Sequence, residues 1–262
     1  MNMLDIGGTC LHWREDGDRG GLPVVFANSL GTDLRMWDAL VPLMPEGLRI
    51  IRYDLRGHGL SDCPAGPYSM GAMIRDAERL LDALALRDCV FVGLSVGGLI
   101  AQGLAVKRLD LVRAMVLSNT AAKIGTAAMW EARIAAIRSG GIEAVADAMM
   151  ERWFSRGFQA RPAMRAYRHM LTRQPVEGYC GVAAAISGTD FITPTSGLRL
   201  PTLVISGSDD GATPPDLVRE TAALIPGARF EMMRGVGHLP PVEAPQAYAE
   251  LLTGFLASIG HL

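Results

Sequence analysis

Hydrophobic and polar positions follow two rhythms along this chain. Short, nearly unbroken apolar runs occur at Pro23–Ala27 (PVVFA), Arg49–Tyr53 (RIIRY), Cys89–Gly93 (CVFVG), Arg113–Ser118 (RAMVLS), Pro201–Ser206 (PTLVIS) and Arg229–Met233 (RFEMM). A strand covered on both faces needs no polar side, so runs of this length predict strands buried in a parallel sheet. Between them the apolar spacing changes to i, i+3, i+4. Met70, Met73, Ile74, Ala77, Leu81 and Leu84 share one helical face behind Ser69, whose hydroxyl suits an N-cap. Tyr248, Leu251, Leu252, Phe255, Leu256 and Ile259 form a second stripe, with Pro245 at its start. Strands alternating with helices predict an α/β fold: a mostly parallel sheet with helices on both faces.

One stretch breaks the rhythm. From about Ala121 to Arg199 no strand pattern is visible, and WEARIAAI and IEAVADAMMERWF read as helices. The expected organisation is a core of residues 1–120 and 200–262 with a helical cap inserted at 121–199. The insertion holds Lys123 and nine arginines against six acids, net +4, while the whole chain of 262 residues carries −2. A basic insertion over an acidic core suits an anionic small molecule, and it also suits a solvated helical surface. No basic stripe runs along the chain to grip a phosphate backbone, so nucleic acid is not an expected partner. No 18-residue apolar run suggests a membrane span. The four cysteines, Cys10, Cys63, Cys89 and Cys180, form no CxxC pair, so neither zinc nor a disulfide framework is expected. The opening MNMLDIGGTC has no basic and apolar leader pattern, and a cytoplasmic location is the expectation.

The candidate chemistry begins at Gly93-Leu94-Ser95-Val96-Gly97, a G-x-S-x-G between the run CVFVG and the helical GGLIAQGLAV. Glycines on both sides permit the sharp strand-to-helix turn that leaves a serine oxygen exposed. A nucleophilic serine needs a base, and the base needs an orienting acid. His238, in GVGHLPP, and Asp210, in GSDDGATPP, both follow strand candidates. Residues just past the C-terminal ends of parallel strands gather at one rim, and the order Ser…Asp…His agrees with such a site.

These pieces, with the turn DLRGHGLSD, resemble the α/β-hydrolase family over nearly the whole chain. The resemblance implies that fold and a triad of Ser95, Asp210 and His238, with Asp210 rather than Asp209 at the family's acid position. It implies a structural role for His58 in DLRGHG. It also implies an oxyanion hole made by the backbone N–H groups of Val96 and, by position, Leu30. The loop that carries Leu30 reads Asn28-Ser29-Leu30-Gly31, where the family usually has His-Gly-x-Gly.

That departure narrows the resemblance. NSLGTDLRMW and SNTAAKIGTAAMWEARIAAIRSGG are similar to the 3-oxoadipate enol-lactonases of aromatic catabolism. This implies hydrolysis of a small anionic lactone in the β-ketoadipate pathway without a cofactor or metal. Trp130 and Arg133, three apart on a predicted helix, share a face. Arg133 is the expected partner of the substrate carboxylate and Trp130 the wall of the ring, unless they are a core filler and a surface charge. Trp37 and Trp153 read as packing. Rival readings are a carboxylesterase, a carbon–carbon bond hydrolase, and a ligand receptor that keeps the fold with vestigial turnover.

Overall fold

The computed structural model describes residues 1–262. Eight strands form one sheet in the order β1-β2-β4-β3-β5-β6-β7-β8. They are β1 Asn2–Asp5, β2 Cys10–Gly17, β3 Leu22–Ala27, β4 Leu48–Tyr53, β5 Cys89–Leu94, β6 Val112–Ser118, β7 Thr202–Gly207 and β8 Arg229–Met233. The pairs β1–β2 and β2–β4 are antiparallel, and every pair from β4 through β3 to β8 is parallel. All six residues of β5 and of β7 are buried, so these strands are covered on both faces and can be continuously apolar.

The sequence pattern missed the β1–β2 hairpin. In β2 only Leu11 and His12 are buried, and the rest of CLHWREDG is polar or half-exposed. An edge hairpin with so little buried surface carries no apolar run to detect.

Helix α1, Met70–Ala83, starts where expected, with the Ser69 side chain accepting the Ala72 N–H. Helix α2, Val96–Lys107, is apolar all round and packs on α1, β3, β5 and β6. Between β6 and β7 come only helices: α3 Ala127–Gly140, α4 Glu143–Trp153, α5 Arg156–Gln159, α6 Met164–Thr172, α7 Val176–Ser187 and α8 Ile192–Ser196. Helix α3 packs against α4 and α7, and α4 against α6. Helix α8 already lies against α2, where Thr195 Oγ1 donates to Gln102 Oε1 at 2.8 Å. The chain closes with α9 Pro215–Leu224, the short α10 Pro240–Glu243 and α11 Pro245–Ser258. No helix is long and apolar enough to cross a membrane.

Candidate active site

Five loops leave the C-terminal ends of neighbouring parallel strands and meet at one rim, as expected for an open α/β sheet. They are the turns after β3 (Asn28–Gly31), β5 (Ser95), β6 (Asn119), β7 (Asp210) and β8 (His238).

Ser95 sits at φ 56°, ψ −115°, in the left-handed half of backbone space that a non-glycine residue avoids. The surroundings enforce that strain. A Cβ at Gly93 would collide with the backbone of Gly97, and one at Gly97 with the carbonyl of Ala27 at the end of β3. A Cβ at Gly98 would strike the Thr120 side chain, which in turn donates to the Ser95 carbonyl at 2.6 Å. The glycines are therefore required by space as well as by turn geometry. Val96 opens α2, so its N–H belongs to the first turn, whose donors have no partner within the helix.

The loop after β3 is pinned from several sides. Asn28 donates to the Tyr53 carbonyl at 2.8 Å and accepts from Trp37 Nε1 at 2.7 Å. The Ser29 carbonyl accepts from Thr32 Oγ1 at 2.8 Å, and Gly31 N–H donates to His58 Nε2 at 3.0 Å. The Leu30 N–H has no acceptor within the protein. Trp37 is a fully buried core residue packed on Phe26, and it also serves this loop through its indole N–H.

Asp210 is buried and receives five donors. His238 Nδ1 lies at 2.8 Å, Asn119 Nδ2 at 2.8 Å and Thr213 Oγ1 at 2.6 Å, with the N–H groups of Ala212 at 2.7 Å and Thr213 at 3.0 Å. Burial works against its charge, but His238 and the other donors outweigh it and hold the carboxyl below its usual range. Asp209 is exposed and receives only the Ser208 hydroxyl. The carboxylate fixes the ring of His238 so that Nδ1 carries the proton and Nε2 is an acceptor. The hydroxyl that reaches Nε2 is that of Ser29, at 3.4 Å. Ser95 lines the same cavity as His238, and its Oγ makes no hydrogen bond in this structure; in unliganded sites such contacts are often long and tighten around substrate.

Above the rim lies a narrow, partly open cavity of about 30 Å³, bounded below by Ser29, Leu30, Ser95 and His238. Helices α3 and α4 close it with Trp130, Arg133, Arg152 and Trp153. Trp130 is held by its indole N–H, 2.7 Å from the Ile124 carbonyl, and the Arg133 guanidinium lies over its ring at 4.6 Å from the centroid. Neither Arg133 nor Arg152 has a carboxylate partner; Arg152 Nε donates to the Gly211 carbonyl at 3.1 Å. Lys123, by contrast, is exposed and paired with Asp190 at 2.9 Å.

Trp153 packs in the core as expected, and it also serves the site. Its ring stacks over His238 at 6.5 Å, and its carbonyl accepts the His238 N–H at 2.7 Å. Beside it the Glu243 carboxylate accepts from Gly237 N–H at 2.8 Å and from Ser155 Oγ at 2.5 Å. Burial pushes the Glu243 carboxyl up from its ordinary range against these donors. Asn119, Ser29, Arg152 and Glu243 were not anticipated as site residues. No group of three or more His, Cys, Asp or Glu side chains comes together as a metal site would require.

A strained serine on a strand-to-helix turn, beside a carboxylate-held histidine, occurs here on an eight-stranded, mostly parallel sheet. The chain belongs to the alpha/beta hydrolase family, whose model matches residues 24–251, and it is a hydrolase. Its relatives include a protein named 3-oxoadipate enol-lactonase 2 from Acinetobacter baylyi, 34% identical over 249 residues, covering 94% of this chain and 93% of that protein. Among solved structures, the enol-lactonase from Burkholderia xenovorans LB400 superposes with a TM-score of 0.94 at 36% identity, covering 98% of this chain and all of the other. A hydrolase from Pseudomonas aeruginosa PA01 superposes at 0.93, also with 36% identity, covering 97% of both chains.

Proposed function

We propose that this hydrolase opens 3-oxoadipate enol-lactone to 3-oxoadipate, in the β-ketoadipate route of aromatic catabolism, using Ser95, His238 and Asp210 and no cofactor. One observation carries the reading: a single cavity holds Ser95, His238 and two cap arginines without carboxylate partners. The similarity to enol-lactonases supports the choice of lactone.

In this reading Ser95 Oγ attacks the lactone carbonyl and passes its proton to His238 Nε2. Asp210, already ionised, stabilises the resulting imidazolium and holds its Nδ1–H. The carbonyl oxygen becomes an oxyanion facing the Leu30 and Val96 N–H groups, donors fixed before the reaction begins. The ring oxygen leaves as an enol, which tautomerises to the ketone. Water, deprotonated by His238, then releases the acyl group from Ser95. Arg133 binds the substrate carboxylate while Trp130 walls the ring.

The test is loss of enol-lactone absorbance with wild-type protein and with Ser95→Ala. Loss of a triad nucleophile leaves roughly 10³–10⁴-fold catalysis over water, so turnover should fall by several powers of ten in a variant that still folds. A folded Ser95→Ala retaining more than a tenth of wild-type activity refutes the assignment. A wild type that turns over aryl esters and not the lactone refutes the substrate.

A further inference from the structure

We infer that Ser29 is a second catalytic hydroxyl, which relays the proton of His238 to the oxygen that leaves the acyl carbon. The inference rests on the proposed triad but not on the identity of the lactone. His238 Nδ1 is committed to Asp210 at 2.8 Å, so all proton traffic passes through Nε2, and Ser29 Oγ is the hydroxyl 3.4 Å from it. Ser29 also lines the cavity with Ser95 and directly precedes Leu30, the residue with the unpaired N–H. Its side chain stands on a backbone held by the Asn28, Thr32 and His58 contacts, so its direction is set before substrate arrives. A hydroxyl can reverse its role at no structural cost, because it is both donor and acceptor.

The sequence of transfers balances. In the resting site Ser29 O–H donates to the lone pair of Nε2. When Ser95 attacks, its proton moves to Nε2, which becomes a donor. Ser29 Oγ then accepts Nε2–H, and its own hydrogen turns toward the departing ring oxygen. As the acyl–oxygen bond breaks, that oxygen takes the Ser29 proton while Ser29 Oγ takes the proton of Nε2. One proton has moved from Ser95 to the leaving oxygen, and Ser29 ends as a hydroxyl. In the second half-reaction water occupies the leaving oxygen's place and the same path runs in reverse.

The test compares wild type with Ser29→Ala, whose unfolding midpoints are measured first so that loss of fold is not mistaken for loss of relay. The substrate is the enol-lactone, or 4-nitrophenyl acetate if the lactone is not opened; the two failures are thereby separated. A general acid–base contribution is worth typically 10²–10⁴-fold, and a relay that only shortens an existing path should supply no more than the bottom of that range, so kcat/KM should fall roughly 10- to 100-fold. Two further readouts separate relay from mere packing. Rates in mixtures of light and heavy water should curve with isotope fraction in wild type, where two protons move together, and become linear in Ser29→Ala. Across substituted phenyl acetates the wild-type to variant ratio should grow as the leaving phenol becomes more basic. An unchanged isotope curve, or a ratio constant across the phenols, overturns the relay.

Discussion

Replacing His58 by asparagine should flatten the response of stability to mild acid. The imidazole is fully buried, with Nε2 accepting the Gly31 N–H at 3.0 Å and Nδ1 facing the Arg56 carbonyl at 3.3 Å. Both contacts are met only by the neutral ring with its hydrogen on Nδ1. A second proton on Nε2 would point at another donor, the Gly31 N–H, at a fully buried position. Burial accordingly lowers its pKa from 6.5 to about 4. Between those values the unfolded chain binds a proton that the folded protein refuses, so folding stability falls as pH falls. The gap corresponds to about 2 kcal/mol lost by pH 5 and about 3 kcal/mol near pH 4. Asp210 acts in a separate window: its carboxyl is held below 3.8, so the stability it contributes is lost only under stronger acid. Buried Asp54 and Glu243, whose carboxyls are pushed up, act with the opposite sign, losing stability as pH rises through their folded values. The assay is denaturant unfolding of both proteins at several values between pH 7 and pH 4.5, where the wild-type minus variant difference cancels the shared carboxylates. The His58→Asn protein should be less stable at neutral pH, with the gap closing by about 2 kcal/mol in mild acid. Parallel curves would show that His58 is protonated in the folded state and refute the reasoning.

Asp210→Asn should cost far more activity than Asp209→Asn, because only Asp210 fixes the His238 tautomer; equal losses in kcat overturn the assignment. Arg133→Ala should lower kcat/KM for an anionic lactone roughly tenfold to a hundredfold, the worth of one charged hydrogen bond, and leave a neutral lactone of similar size unchanged. Arg152→Ala should act in the same direction in that pair of assays, and equal damage to the neutral lactone would make either arginine structural. Asn119→Ala should reduce kcat without changing KM, since its amide touches Asp210 and Gly237 rather than the cavity; a change confined to KM counts against this.

The alternation of runs was enough to place the parallel strands and the helices between them, because buried parallel strands are apolar on both faces. It was blind to the β1–β2 hairpin, where one buried turn of side chains sits among charges. Ser95 was legible because its strained backbone demands glycines at fixed offsets, and Asp210 because its carboxylate takes donors from the turn that follows it, Ala212 and Thr213. Asn119 lies 91 positions from the carboxylate it holds, and nothing local marks that contact, although asparagine tolerates its φ of 46° better than most residues. Arg152 is one exposed arginine among nine in its stretch, and only the packing of α4 over the β7 loop distinguishes it. Ser29 was visible as a departure from the usual loop, but its hydroxyl gained a direction only once His238, 209 positions away, was in place.

The end of α4 is sewn to the two loops that carry Asp210 and His238. Arg152 and Gly211 exchange hydrogen bonds in both directions, Trp153 holds the His238 N–H, and Ser155 reaches the same carboxylate as Gly237. The helical stretch is therefore not a door hung on a free hinge. Lifting it at this seam would pull the His238 and Asp210 loops out of register, whereas the Arg133 side chain on α3 is tied to neither loop. The same seam divides the stretch by tolerance to change. Residues 153–155 hold the His238 loop and should resist exchange, whereas Arg133 on α3 carries no such bond, and altered substrate preferences are to be sought there.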